Sequence, residues 1–227
     1  MSELPPHLDL RSVAMSELPQ HLLALLEALP TSEQRIAVSR DDPRRAWQHV
    51  LEHAPRRYDF AGLSGEPGAV RWQVEARDPR KPRTVGGYLG WDHRRMEAIL
   101  RLGVMLAERA DWSAAQALLA DHGAALRRHA DLEDEILFPA VLAAQGGVDG
   151  GPIELLRTEH VEVRRSIHVM LRAVRDRDLT AVREACELLE RGALEHHAKE
   201  EEILFPAIDE SFEPRELERL VERLIVG

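Results

Sequence analysis

The pattern of hydrophobic and polar residues changes once along the chain, near residue 80. Before that point, short alternating stretches separated by turn residues predict a small α+β domain of order β-α-β-α-β-β. After it, hydrophobic residues recur every three to four positions, which is typical of long amphipathic helices. Strands are predicted at 7–11, 35–39, 58–63 and 70–76, and helices at 18–29 and 43–53.

The second part predicts an all-α antiparallel four-helix bundle followed by a short extra C-terminal helix. Breaks between its helices are predicted where Gly, Pro or a capping Asp occurs, at 111–112, 146–152 and 177–178. The turn SGEPG at 64–68 is predicted to join the last two strands of the first part. The predicted domains therefore cover residues 1–80 and 85–227.

One motif occurs twice in the predicted bundle. HADLEDEILFPA at 129–140 returns as HHAKEEEILFPA at 196–207, and a shift of 67 residues aligns the copies. The same shift places His93 on His160. Pairing His129 with His197 instead would break the alignment of ILFPA, so His197 is not a predicted ligand. His197, Glu201 and Glu202 are predicted to lie on a solvated face.

The repeat predicts polar residues on seams that face the core. A histidine and a glutamate four positions apart lie about 6 Å from each other on one helix face. Prolines 139 and 206 are predicted to kink or end their helices. The predicted seams contain Leu89, His93, Met96, Leu100, Gly103 and Ala107; Leu126, His129, Glu133, Ile136 and Ala140; Leu156, His160, Val163, Ile167, Met170 and Val174; and Ala193, His196, Glu200, Ile203 and Ala207.

Two ionised carboxylates inside an apolar bundle are strongly disfavoured unless a cation compensates them. Oxygen and imidazole ligands without thiolate suit iron, manganese or zinc, and two carboxylates able to bridge suit two ions. The sequence therefore predicts a dimetal site. Its predicted ligands are His93, His129, Glu133, His160, His196 and Glu200.

Composition narrows the class of protein. Hydrophobic residues make up 44% and charged residues 31%, and no run approaches the roughly 18 apolar residues of a membrane span, so a soluble protein is expected. The single cysteine, Cys186, excludes an internal disulfide and a thiolate metal site. A net charge of -10 argues against nucleic-acid binding. The start of the chain lacks a secretory pattern, so a cytoplasmic location is expected.

The residues around the two motifs resemble the hemerythrin-like HHE cation-binding family, over about residues 85–209. The resemblance implies a non-haem di-iron centre with an oxo or hydroxo bridge, ligated by the four histidines and bridged by the two glutamates of the predicted site. Arg164 stands where oxygen-carrying hemerythrin has a second histidine on the third helix. The ligand set is more similar to di-iron proteins of the repair-of-iron-centres type, which respond to nitric oxide and oxidative stress.

The first part is similar to a small domain with the TusA-like sulfur-carrier fold that often accompanies hemerythrin-like domains. The resemblance rests on LDLRSV, RDDPRRAWQHVLEH and VRWQVEAR. Sulfur carriers have a cysteine after the first strand, and this chain has SVAMSELP there. The domain is therefore interpreted as a binding or regulatory module. His49 and His53 within it are interpreted as part of a solvated helix face.

Three functions remain open from the sequence. The first is a protein that binds or senses O2, NO or redox state at its di-iron centre. The second is an enzyme acting on peroxide, O2 or NO, and the third is an iron donor for the repair of damaged iron-sulfur centres. Whether Glu97, His122 or Arg164 contributes to the site is also left open.

Overall fold

The computed structural model describes residues 6–65, 67–144, 146 and 151–227. The chain divides into two compact units, one ending at Thr84 and the other covering Val85–Leu220, and Val221–Gly227 group with the first. The predicted turn at 64–68 and the predicted break at 146–152 each include residues outside the described ones. The division into domains at residues 80 and 85 stays a prediction.

The first unit contains a small mixed sheet and two helices, which confirms the predicted α+β class. Across the sheet the strands follow the order β1 (His7–Asp9), β2 (Gln34–Ser39), β4 (Val70–Ala76) and β3 (Tyr58–Gly62). The first two are parallel, and the other neighbours are antiparallel. A TusA-like fold for this unit stays a prediction. The elements are β1 (His7–Asp9), α1 (Leu18–Glu27), β2 (Gln34–Ser39), α2 (Arg44–His53), β3 (Tyr58–Gly62) and β4 (Val70–Ala76).

The core of the first unit is aromatic. Trp47 of α2 has no exposed surface and stacks on Phe60 of β3, with ring centroids 4.3 Å apart. Trp72 of β4 lies 5.9 Å from the Trp47 ring. These rings fix α2 against the sheet, because large buried aromatic side chains contribute most of the apolar area in a small core.

Replacing Trp47 by alanine is expected to lower the free energy of unfolding of this unit by about 3 to 5 kcal/mol, because a large cavity is left in the core. Urea denaturation followed by circular dichroism measures it. Leu25→Ala is the control, since Leu25 of α1 is 40% exposed and such surface changes usually alter stability by less than about 0.5 kcal/mol. Equal destabilisation by both changes would contradict the packing described.

The second unit is helical, as predicted. Asp111 and Asp178, related by the 67-residue shift, cap the helices that begin at Trp112 and Leu179, and each accepts a hydrogen bond from the backbone N–H three residues later. The elements from Val85 onward are α3 (Val85–Glu108), α4 (Trp112–Leu132), π1 (Glu133–Leu137), α5 (Phe138–Ala144), α6 (Pro152–Arg175), α7 (Leu179–Lys199), π2 (Glu200–Leu204), α8 (Phe205–Ser211) and α9 (Pro214–Val226). Among the described residues, no helix combines the length and apolar content that crossing a bilayer requires.

The predicted seams are correct up to the two glutamates and wrong beyond them. Ile203, predicted to face the core, is 67% exposed, and Ile136 is only partly buried. Phe138 and Phe205 are buried instead. The cause is the π-helical turn that starts at each glutamate, because a π turn contains one residue more than an α turn and rotates the following side chains.

The two prolines do not end their helices, which corrects one part of that prediction, and a kink at either proline stays a prediction. Pro139 and Pro206 are the second residues of α5 and α8, and the chain continues as a helix beyond each. In the first turn of a helix, proline's missing N–H costs no hydrogen bond. In the π turn before α5, the N–H of Phe138 donates to the carbonyl of Glu133, and the α-helical segment that contains Pro139 begins there.

Candidate metal centre

Four buried histidines meet inside the second unit, one from each of its long helices. His93 of α3 and His129 of α4 form one pair, with their Nε2 atoms 3.0 Å apart. His160 of α6 and His196 of α7 form the other, with their Nε2 atoms 3.2 Å apart. Two imidazole nitrogens at right angles around one ion, each about 2.1 Å from it, would also be about 3 Å apart. Each pair therefore has the spacing of two ligands of one ion.

Two fully buried glutamates connect the pairs. Oε1 of Glu133 lies 3.5 Å from Nε2 of His129, and Oε2 lies 3.2 Å from Nε2 of His160. Glu200 repeats this arrangement, with Oε1 3.0 Å from Nε2 of His196 and Oε2 3.5 Å from the α3 histidine. Each carboxylate thus reaches both histidine pairs. A cation at either pair would therefore lie close to both carboxylates.

The two carboxylates are the clearest indication of a cation-binding site. None of the four oxygen atoms of Glu133 and Glu200 has a hydrogen bond of acceptable geometry, although all are buried. An unpaired buried charge is strongly destabilising. The nearby imidazoles compensate it only if they are protonated. A donor set of nitrogen and oxygen atoms with unsatisfied carboxylates fits non-haem iron and similar ions.

The electrostatics of the cluster without metal are consistent with this reasoning. Burial and the neighbouring Glu133 carboxylate raise the pKa of Glu200 to about 7. Burial alone would also raise the pKa of Glu133, but the surrounding histidines lower it well below its usual value. Burial would lower the pKa of His196, yet the nearby carboxylates of Glu133 and Glu200 raise it to about 11. Protons therefore supply the positive charge that an ion would replace.

Each clustered histidine uses its other nitrogen for a carboxylate outside the cluster. Such a bond fixes the tautomer and leaves Nε2 directed to the metal. The Nδ1–H groups donate from His93 to Glu201 (2.7 Å), from His129 to Asp92 (3.1 Å), from His160 to Asp134 (2.9 Å) and from His196 to Glu159 (2.9 Å).

The sequence reasoning missed these outer carboxylates, although the repeat contains the signal. The 67-residue shift places Asp92 on Glu159 and Asp134 on Glu201, so the outer partners follow the same symmetry as the histidines. Glu201 was predicted to be only a solvated residue. Its side chain is indeed 46% exposed, but one of its oxygens accepts the hydrogen bond from His93.

The phenylalanine of each ILFPA copy contacts the cluster. Phe138 stacks on His160, and Phe205 stacks on His93, with ring centroids 5.8 and 5.9 Å apart. The π turn brings each ring to this position, since it shifts the residues after the glutamate. The repeated ILFPA therefore supplies an apolar wall beside one histidine of each pair.

The prediction that His197 lies on a solvated face is wrong. Only 6% of His197 is exposed, and its ring stacks on His93 with centroids 3.6 Å apart and planes 8° apart. Neither of its ring nitrogens has a hydrogen-bond partner among the described residues. The repeat could not identify it, because the shift places it on Ala130.

Six predicted ligands and His197 fall into two overlapping groups whose donor atoms lie within 4.8 Å of one another. One contains His93, His129, His197 and Glu200, and the other contains Glu133, His160, His196 and Glu200.

The family model of the hemerythrin HHE cation binding domain matches residues 151–224. Comparisons with curated proteins and with solved structures gave no match.

The matched segment contains three of the six predicted ligands: His160, His196 and Glu200. The match supports a cation-binding helical domain in the C-terminal part of the chain. The other three, His93, His129 and Glu133, lie before the segment and reach the cluster through the internal repeat. The hemerythrin-type match thus covers three of the six residues, and the geometry brings these three together with the other three.

Other candidate residues lie outside the cluster. Glu97 pairs with Arg101 on the surface, and Arg164 holds the outer carboxylate Asp134. Cys186 is buried, and burial raises the pKa of its thiol to about 12, so it is not a reactive thiolate. In the first unit, the exposed side chains of Glu52 and His53 form a third possible metal group with His49.

Proposed function

We propose that this chain is a non-haem di-iron protein whose centre binds or senses a small diatomic molecule, O2 or NO. The carrying observation is that two buried glutamates each reach both histidine pairs without any hydrogen bond of their own. His93 and His129 would hold one iron, and His160 and His196 the other. Glu133 and Glu200 would bridge them, and the bound irons would supply reversible redox chemistry and positions for an exogenous ligand.

The protein side chains orient the metal ligands, exclude water from the centre and supply charge. The outer carboxylates orient the four imidazoles, and Phe138 and Phe205 exclude water from one side of each pair. The apolar side chains of Met96, Leu100 and Ile167 pack in the core next to the ligand-bearing turns. Six protein ligands shared by two irons would leave coordination positions open to an exogenous ligand. A small molecule is favoured because the cavity that reaches His197 has room for about one water.

Anaerobic loading with Fe(II), followed by titration with NO and with O2, tests the proposal. The expected result is two irons per chain and an absorption spectrum that changes with at least one of the gases. A spectrum that responds to neither gas would overturn the ligand-binding function. Sustained turnover of NO, O2 or peroxide would instead favour the enzymatic function, and transfer of iron to an acceptor would favour iron donation.

Affinity for iron is expected to rise with pH between about 6 and 8, because an imidazole must lose its proton before it binds a metal. The pKa values of His160 and His196 are both raised in the metal-free cluster, so protons compete for these nitrogens. Each displaced proton should tighten binding by about tenfold per pH unit. Competition with a chelator of known affinity measures it, and an affinity independent of pH would contradict the proposed charge exchange.

A further inference from the structure

A small cavity lies between α3, α4 and α7, next to the histidine cluster. Its walls are mostly apolar and include Met96, Leu100, Leu126 and Leu189. The space open to the centre of a water-sized sphere is about 10 Å³. That is close to the minimum volume that holds one water molecule. The cavity therefore fits a single molecule of very few atoms.

Two buried histidines line this cavity, and both have unsatisfied nitrogens. His122 donates its Nδ1–H to the carbonyl of Met96 at 3.0 Å, which leaves Nε2 as an acceptor. His122 is 3% exposed, and its Nε2 has no hydrogen-bond partner among the described residues, as is also true of both ring nitrogens of His197. A buried polar atom without a hydrogen-bond partner destabilises the folded protein. One small molecule between these histidines would remove part of that destabilisation.

The stacked orientation of His197 prevents it from binding the same ion as His93. An imidazole binds a metal through a lone pair in the plane of its ring. The planes of His93 and His197 are nearly parallel and their centroids are 3.6 Å apart. One ion cannot lie in both planes, so His197 does not share the ion of His93 in this conformation. Its nitrogens remain available to a molecule beside the centre.

The other end of the cavity reaches the surface. Leu194 lines it and is 45% exposed, and the partly exposed carboxylates of Glu97 and Glu190 lie at the same end. Arg101 connects the two carboxylates, with nitrogen–oxygen distances of 3.1 Å to Glu97 and 3.6 Å to Glu190. The lining thus runs from this exposed ion-pair group to His197, which contacts His93.

We propose that this cavity binds one small uncharged molecule, water or a diatomic gas, and that it is the route of such molecules between the surface and the histidine cluster. Apolar walls disfavour a charged occupant. The destination of the molecule rests on the proposed di-iron function, whereas its binding in the cavity requires no metal.

A high-resolution crystal structure of the metal-free protein tests the binding step. The expected result is an ordered molecule within hydrogen-bond distance of both His122 Nε2 and a ring nitrogen of His197. In His122→Leu, which removes one partner, that molecule should be lost while the His93 and His129 positions stay unchanged. A cavity without an ordered molecule in the unaltered protein, or an occupant that contacts neither histidine, would overturn the proposal.

The rate of NO association with the Fe(II)-loaded protein tests the route. Leu194→Trp narrows the outer end and is expected to slow association by about tenfold, equivalent to about 1.4 kcal/mol in the barrier. Leu188→Trp is the matched control, since Leu188 lies on the same helix, is 55% exposed and lines a different groove, between α6 and α7. Equal rates in the two variants would overturn the route.

The two tests separate this inference from the proposed function. Iron content is measured first in the unaltered protein and in both tryptophan variants, and two irons per chain are expected in each. A chain that loads no iron would overturn the di-iron function, while the crystal structure would still decide whether the cavity binds a molecule. Normal iron loading with unchanged NO kinetics would overturn only the route.

Discussion

Replacing His129 and Glu200 together by alanine is expected to abolish the loading of two irons per chain. The change removes one imidazole from the first histidine pair and one of the two carboxylates that reach both pairs. Neither predicted iron then keeps its ligand set. Metal analysis after anaerobic loading with Fe(II) measures the result, with a fall from two irons per chain to nearly none.

Two control variants define what the first result means. The double change of His49 and His53 to alanine removes imidazoles from the exposed group on α2 and should leave two irons bound. His197→Ala should also leave loading nearly intact, because His197 stacks on His93 outside both pairs. A loss of iron in His197→Ala as large as in the double variant of the cluster would show that the ligand set is different.

Removing the metal is expected to cause the second large effect, on the stability of the second unit. An ion that binds only the folded chain stabilises it by about 3 kcal/mol when its free concentration is about one hundred times its Kd, and two ions act together. Chelation should therefore lower the free energy of unfolding by several kcal/mol. Urea denaturation with and without Fe(II) under anaerobic conditions measures it, and identical curves would contradict a metal-bound native state.

The free energy of unfolding of the metal-free protein is also expected to depend on pH. The pKa of Glu200 is raised from 4.5 to about 7, so the folded form binds the proton more tightly than the unfolded form. The pKa of His196 is raised from 6.5 to about 11, which acts in the same direction at higher pH. Both contributions are present at low pH and are lost as pH rises. Burial lowers the pKa values of His122 and His197, so their opposite contribution is complete above about pH 6.5, and stability should fall between about pH 6.5 and 8.

Glu200→Gln provides the control for that slope, because glutamine does not titrate. Its metal-free stability should fall less between about pH 6.5 and 8 than that of the unaltered chain. The iron-loaded protein should show the opposite trend, since iron binding tightens as pH rises. A metal-free stability that increases over this range would contradict the charge state assigned to the cluster.

The internal repeat determined most of what the sequence could predict about the site. The 67-residue shift selected six residues, and the structure brings all six into one cluster. The same shift also relates the outer carboxylates and the two helix-capping aspartates. The shift pairs Asp92 with Glu159 and Asp134 with Glu201, so it contains the signal for the outer carboxylates. Taken one at a time, these acidic residues cannot be distinguished from those of a solvated helix face.

Two features could not be obtained from periodicity. A π turn changes the side-chain period within a helix, so the regular α-helical period assumed for residues such as Ile136 did not predict it. His197 has no partner in the repeat, and its burial depends on the ring of His93, which lies 104 positions earlier in the chain.

The sequence by itself determined the class of each part, the helical periods and the residue types able to hold a cation. These depend on local preferences and on the spacing of side chains along one helix. Only the tertiary structure decided which side chains meet after each π turn, where His197 lies and which carboxylates orient the histidines. Those positions depend on how separate helices pack, and contacts between helices leave no fixed spacing along the chain.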